Sequence, residues 1–232
     1  MLKILRKRWI NLSLKDLDTN NVTYYDLNNR LNIPLNGQIQ LDQDQAALKA
    51  FLEQNVVPNT MRFASLKERF EYLLENNYLE ADFIQKYEFS FIEKLYAHLK
   101  EADFHFKTFM AAYKFYTQYA LKTDDGQYYL ENFIDRVAVN ALYFADGDET
   151  LALKLADELI SQRYQPATPS FLNAGRSRRG ELVSCFLLQV TDDMNSIGRA
   201  INSALQLSRI GGGVGITLSN LRSAGAPIKV IK

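Results

Sequence analysis

Apolar residues recur at three- and four-residue intervals through most of the first 160 positions, a spacing that predicts amphipathic helices. Phe63, Leu66, Phe70, Leu73 and Leu74 share one helical face, Phe83, Ile84, Tyr87 and Phe91 a second, and Phe106, Phe109, Met110 and Tyr113 a third. Phe133, Ile134, Val137, Ala141 and Phe144 continue the pattern. Asp148 is placed to cap a helix carrying Leu151, Leu155, Ala156, Leu159 and Ile160. Large rings at this spacing fill the core of a bundle more readily than they line a cofactor pocket. Residues 1–45 break the period. They are rich in Asn and Asp, carry turn signals at Asn20-Asn21, Asn28-Asn29 and Asn36-Gly37, and fit short strands or a small cap.

Past Tyr164 the pattern changes. Pro166 and Pro169 are expected to stop the helix, and Gly175 and Gly180 flank a basic loop of Arg176, Arg178 and Arg179. Leu182–Val190 is a largely apolar run of strand length and is expected to be a buried strand. A helix follows, capped by Asp192 or Asp193, with Ile197, Ala200, Ile201, Ala204 and Leu205 as its apolar face and Gly211 at its end. Val214–Leu218 is a second strand, so the order strand, helix, strand predicts a parallel pair with a right-handed crossover.

Glycine and aromatic usage sharpen this division. Of 11 glycines only Gly37 and Gly126 precede residue 147, whereas of 28 Phe, Tyr and Trp residues only Tyr164, Phe171 and Phe186 follow it. The main boundary is expected between residues 160 and 168.

Composition narrows the function classes. Lys and Arg number 27 against 27 Asp and Glu, so no long-range field steers the chain onto nucleic acid or an anionic membrane. One cysteine excludes an internal disulfide and a cysteine-rich zinc site, and His98 and His105 without a third ligand are ordinary helix or surface residues rather than a metal pair. The basic start, Lys3 to Arg8, is followed by Asn11, Lys15 and Asp16 where a signal peptide requires apolar residues. No apolar run approaches the ~18–20 residues of a membrane span. A reduced, cytoplasmic chain is the expectation.

Two features carry candidate chemistry. Gly211-Gly212-Gly213-Val214-Gly215 follows a helix and opens a strand, the reverse of a dinucleotide fingerprint or a P-loop. A helix end and tight turn need one glycine or two, so four suggest a backbone that something approaches closely, with N–H groups free for an anion or a ribose. Cys185 alone reads as a small buried hydrophobe. Ser184, Thr168 and Ser170 bring hydroxyls near it in sequence, and the thiol suits donating hydrogen or a proton better than attacking a carbonyl.

Four blocks carry a resemblance: Thr168-Pro-Ser-Phe-Leu-Asn-Ala-Gly175, Arg179-Gly-Glu-Leu-Val-Ser-Cys-Phe-Leu-Leu188, Leu207-Ser-Arg-Ile-Gly-Gly-Gly-Val-Gly215 and Ser219-Asn-Leu-Arg-Ser-Ala-Gly-Ala-Pro-Ile-Lys229. In order and spacing they closely resemble the large, catalytic subunit of class Ib ribonucleotide reductase. The resemblance implies a mixed fold: a class Ib-type helical region over 1–88, a helical reductase domain over 89–163, and over 164–232 the first strand–helix–strand of a truncated ten-stranded α/β barrel. It implies radical reduction of ribonucleoside diphosphates to deoxyribonucleotides. Carried over by position, Cys185 is one of two cysteines that reduce the ribose and end as a disulfide, reset by a glutaredoxin-like protein or thioredoxin. Thr168, Ser184 and Gly213 hold substrate. Asp192 and Arg222 bind a deoxynucleotide effector with Mg, with Ile228 and Lys229 as weaker candidates; a carboxylate accepts from a ribose hydroxyl and an arginine fork fits a phosphate.

The same resemblance implies a separate small subunit bearing a dinuclear metal and tyrosyl radical, and a large subunit that dimerises. Residues 1–45 show no full ATP-cone pattern. One thiol cannot close a disulfide, so the 232 residues alone are expected to be an inactive fragment. The alternative is a helical nucleotide-sensing or interaction module without catalysis.

Overall fold

The computed structural model describes residues 23–31, 36–38 and 41–227. The chain divides into two compact units, one ending at Tyr164 and the other beginning at Gln165. The first is helical: α1 (Tyr24–Leu31), α2 (Leu41–Phe51), α3 (Leu66–Glu75), α4 (Ala81–Ile84), α5 (Phe89–Glu101), α6 (Phe109–Lys114), α7 (Phe133–Ala145) and α8 (Glu149–Ile160). Wider π-type turns continue α2 through Val56 and α6 through Tyr119.

Short polar side chains set several helix starts. Ser65 accepts from the Glu68 N–H, Thr108 from Ala111 and Asp148 from Leu151, while Asn132 and Asp135 form a reciprocal capping box. Each such cap is worth ~1 kcal/mol.

The periodic stripes become the core, with Phe70, Leu73, Ile92, Leu95, Leu99 and Leu142 buried. Helix α7 is buried along nearly its whole length and packs against α4, α5 and α8. The structure departs from the sequence expectations in several places. Asn28-Asn29 is not a turn but lies within α1, and the described part of residues 1–45 is helical at α1 and from Leu41 rather than strand-like. The stripe from Phe83 to Phe91 is two helices, broken at Gln85–Glu88, whose two buried faces still meet one core. Met110 is 52% exposed and Phe106 precedes α6, so that stripe is shared between a loop and a helix. His98 and His105 pair with the carboxylates of Asp157 and Asp103.

Charges buried in this core were not legible from periodicity. Arg69 donates to the Leu130 carbonyl at 3.0 Å, to the Tyr96 hydroxyl at 3.1 Å and to Asp135 at 3.2 Å. Arg136 meets Glu131 at 3.3 Å with both side chains fully buried, and Glu131 also accepts the Leu121 N–H at 3.0 Å. Burial works against the Arg69 charge, but Tyr96, Asp135 and Glu131 outweigh it and hold the guanidinium pKa above its ordinary value.

The second unit holds α9 (Thr168–Asn173), β1 (Cys185–Gln189), α10 (Met194–Arg209) and β2 (Gly213–Thr217). The strands pair in parallel with Cys185 opposite Gly213 and Gln189 opposite Thr217. Pro169 does not stop a helix: α8 has already ended at Ile160, and Pro169 sits in the first turn of α9, where its missing N–H costs nothing. Nor is β1 a buried strand. Cys185, Leu187 and Gln189 are exposed and alternate with half-buried Phe186 and Leu188, so the largely apolar run conceals a two-faced strand. Of the expected apolar face of α10 only Ala200 is buried, while Ile201 and Leu205 are 55% and 65% exposed. No described helix is long and apolar enough to cross a membrane.

Candidate functional site

The parallel pair sorts the candidate residues into two places. Cys185 opens β1 and Gly213 opens β2, so the thiol and the third glycine of the run sit side by side on the exposed face. Asp192 and Arg222 lie past the far ends of the same strands. Five-residue strands separate the two places by ~13 Å.

At the first place the four glycines have different reasons. Gly211 has φ +90°, the left-handed turn that ends α10. A Cβ on Gly212 would lie 2.6 and 2.7 Å from ring carbons of Phe186 and 2.9 Å from the Leu207 carbonyl oxygen, so a side chain is excluded there. On Gly215 it would press on Leu187 at 3.2 Å. On Gly213 it would meet only the Ser184 carbonyl, at an ordinary 3.6 Å, and the φ there is not in the left-handed region. Local packing does not demand glycine at 213. A side chain would instead project from the open face beside the thiol.

The expectation of free backbone N–H groups in this run is corrected. Gly211 donates to Ser208, Gly212 to Leu207 at 3.0 Å and Gly213 to Ser184 at 2.7 Å. These bonds close the helix end and begin the strand ladder, so what Gly213 offers a ligand is room rather than a free donor.

The hydroxyls do not gather about the sulfur. Ser170 donates to the Leu182 carbonyl at 2.9 Å, tying α9 to the approach of β1. Thr168 opens α9 and is exposed. Ser184 precedes Cys185 and by strand alternation turns to the opposite side. There it lines a pocket of about 390 Å³ with Pro169, Phe186, Gly211 and Gly212, and Cys185 is not in its wall.

At the far ends the loops after β1 and β2 are stitched together. Asn220 donates to the Val190 carbonyl at 3.2 Å, and Arg222 Nε donates to Asp192 Oδ2 at 2.6 Å. Arg222 Nη1 also donates to the Pro227 carbonyl at 2.8 Å. Two residues thirty positions apart are thus adjacent, with both side chains partly exposed. Asp193, not Asp192, caps α10, accepting from Ser196 at 2.8 Å and from the Thr191 hydroxyl at 2.6 Å. The Thr191 hydroxyl chiefly, with the Ser196 N–H, holds the Asp193 carboxyl below the usual carboxylate range. This division leaves Asp192 outside the helix cap, paired with Arg222. Asn220 was not anticipated; its only sequence signal is a polar residue just after a strand. Ile228 and Lys229 lie outside the described residues.

A carboxylate and a guanidinium past the carboxyl ends of parallel strands occupy the usual ligand position of an α/β sheet. The thiol end instead offers one sulfur and a bare backbone on an open face.

Residues 24–104 match the ribonucleotide reductase N-terminal family, residues 105–179 its all-alpha domain and residues 183–232 its barrel domain. The chain is 46% identical over 209 residues to the ribonucleoside-diphosphate reductase subunit alpha of Bacillus subtilis, with 90% of this chain aligned. It is 48% identical over 204 residues to the Mycoplasma genitalium subunit and 49% over 189 residues to that of Mycoplasma pneumoniae, with 86% and 82% of this chain aligned. The aligned segments span 30%, 28% and 26% of those relatives.

Proposed function

We propose, from the premise that this chain belongs to the ribonucleotide reductase large-subunit family, that it supplies the helical domain and the first strands of a ten-stranded barrel to a class Ib ribonucleoside-diphosphate reductase. The substrate is a ribonucleoside diphosphate. In the net reaction two thiols each give up one hydrogen, one to C2′ and one to the departing hydroxyl, leaving a disulfide, a deoxyribonucleotide and water. Cys185 is one of those thiols. Because the 232 residues hold one cysteine, its partner comes from polypeptide outside them, and residues 1–232 alone give no turnover.

The observation that carries this reading is Gly213: a glycine that local packing does not require, opposite an exposed thiol, on a face where a side chain would fill the space a sugar needs. Thr168 holds the substrate through its hydroxyl and Ser184 through its backbone, since the Ser184 side chain turns away from the thiol. At the far ends of the strands Asp192 accepts from a hydroxyl of a deoxynucleotide effector and Arg222 meets its phosphates, with Mg neutralising the rest. Effector binding therefore exchanges the Asp192–Arg222 bond for bonds to nucleotide. The radical comes from a small subunit with a dinuclear metal and a tyrosyl radical. A glutaredoxin-like protein or thioredoxin resets the disulfide, the large subunit works as a homodimer, and the enzyme is cytoplasmic.

Replacing Cys185 by Ser in the full-length subunit, assayed with the small subunit and a dithiol reductant, tests the assignment. Deoxyribonucleotide formation is expected to fall by about three orders of magnitude or more, as for loss of a covalently participating group. Wild-type yield from that variant removes Cys185 from the chemistry.

A further inference from the structure

The half-buried face of β1 carries a residue with no part in the reaction as proposed. Phe186 follows Cys185 and points to the opposite side, where its ring edge lies so close to Gly212 that a Cβ there would sit 2.6 Å from it. The same glycine donates to the Leu207 carbonyl at 3.0 Å, so the turn leaving α10 is clamped between a helix end and an aromatic ring. Gly213 comes next, donating to Ser184 at 2.7 Å and pairing with Cys185. Ring, turn and register form one continuous contact. A slip of one residue in β2 would take Gly213 from its place opposite Cys185.

We propose that Phe186 is a positioning residue: by wedging against Gly212 it fixes where β2 begins, and so aims the Cys185 thiol and the bare Gly213 at the same ligand. The inference rests on the reductase reading and adds to it a residue that touches neither substrate nor effector. It also gives Gly212 a reason distinct from that of Gly213, since one glycine admits the ring and the other admits the ligand.

Three variants of the full-length subunit test it, with the small subunit present: Gly212→Ala, Phe186→Leu and the double variant. Misplacing a reacting group by less than an ångström costs about tenfold or more in rate. Gly212→Ala is expected to lower kcat by about tenfold, and Phe186→Leu by about threefold through loss of the wedge. The double variant is expected to recover part of the Gly212→Ala loss, because the smaller side chain removes the clash with the ring but not the one with the Leu207 carbonyl oxygen. Effector affinity at Asp192 and Arg222, at the far ends of the strands, is expected to stay within about twofold in all three, which separates misaiming from unfolding. The proposal is overturned by wild-type kcat in Phe186→Leu, by wild-type kcat in Gly212→Ala, or by a double variant no better than Gly212→Ala. Should Gly212→Ala not fold, Phe186→Leu alone decides. Cys185→Ser measured alongside separates the two ideas: full turnover there removes the reductase reading itself, whereas loss there with unaltered Phe186→Leu removes only the wedge.

Discussion

The two units use apolar residues in opposite ways. In the helical unit they close on one another: α7 is buried almost throughout, and even two arginines and two carboxylates are enclosed with their partners. In the strand unit they stand open. Leu187, on the same face as Cys185, is 89% exposed, and Val183, Ile201 and Leu205 are exposed as well. The first region is closed by its own packing, whereas the second leaves apolar faces that its own residues do not cover, and a substitution is therefore read out differently in each.

The largest expected difference concerns the enclosed charges. Replacing Asp135 by Leu leaves Arg69 beside Tyr96 without its carboxylate, and breaking a buried pair from one side costs ~3–5 kcal/mol. Denaturant unfolding of the full-length subunit measures it. Breaking the exposed Asp192–Arg222 pair with Asp192→Asn is expected to cost under ~1 kcal/mol. Equal losses would abolish the contrast between the regions.

Next is the core itself. Leu142→Ala, at a fully buried position of α7, is expected to cost ~2–5 kcal/mol, whereas Leu187→Ala is expected to fall within ~0.5 kcal/mol. A Leu187 loss as large as that of Leu142 would mean that residue is packed in the full-length subunit, and the face beside Cys185 covered.

How far the sequence discloses each region follows the same line. The helical stripes at Phe70, Leu73, Leu95 and Leu142 repeat every three or four residues because they pack, so their period is visible and the helices follow from it. The caps at Asp148 and Asp193 are readable for a related reason, since a short side chain answers a free N–H within three residues. Arg69 and Asp135 escape such reading. They are 66 positions apart, and nothing in a local window shows that one satisfies the other. In the second unit the parallel pair is legible, but the burial of β1 is not. Cys185, Phe186, Leu187 and Leu188 form an unbroken apolar run, and only the structure shows that alternate members face opposite ways. Ser184 fails as a companion to the thiol for that reason: adjacency in a strand places neighbours on opposite faces. Asp192 and Arg222 were suggested by resemblance, and the structure brings them within 2.6 Å.

A third test turns on the bare backbone. Gly213→Ala puts a methyl where the nearest neighbour in space is the Ser184 carbonyl oxygen at 3.6 Å, in a strand conformation open to any residue. Stability is expected to change by less than ~0.5 kcal/mol. The KM for ribonucleoside diphosphate is expected to rise by about tenfold, the scale at which one misplaced methyl group alters recognition. A drop in stability with unaltered KM would make Gly213 a packing residue, and the second unit would then resemble the first.

The smallest effect expected is the acid response of the α10 cap. Asp193 is bound by the Thr191 hydroxyl and the Ser196 N–H, and its carboxyl pKa in the folded chain lies below the usual range. A depressed carboxylate pKa stabilises the fold where the unfolded chain's carboxylate is already ionised, above about pH 4, and the contribution fades as pH falls through the lower, folded value. The exposed position keeps the effect small. Unfolding midpoints of the parent and Asp193→Asn chains, compared between pH 7 and pH 3, are therefore expected to converge on the acid side. A gap that widens as the pH falls would mean that the carboxylate is not what holds the start of α10, and that the loop after β1 owes its shape to Asn220 and Arg222 instead.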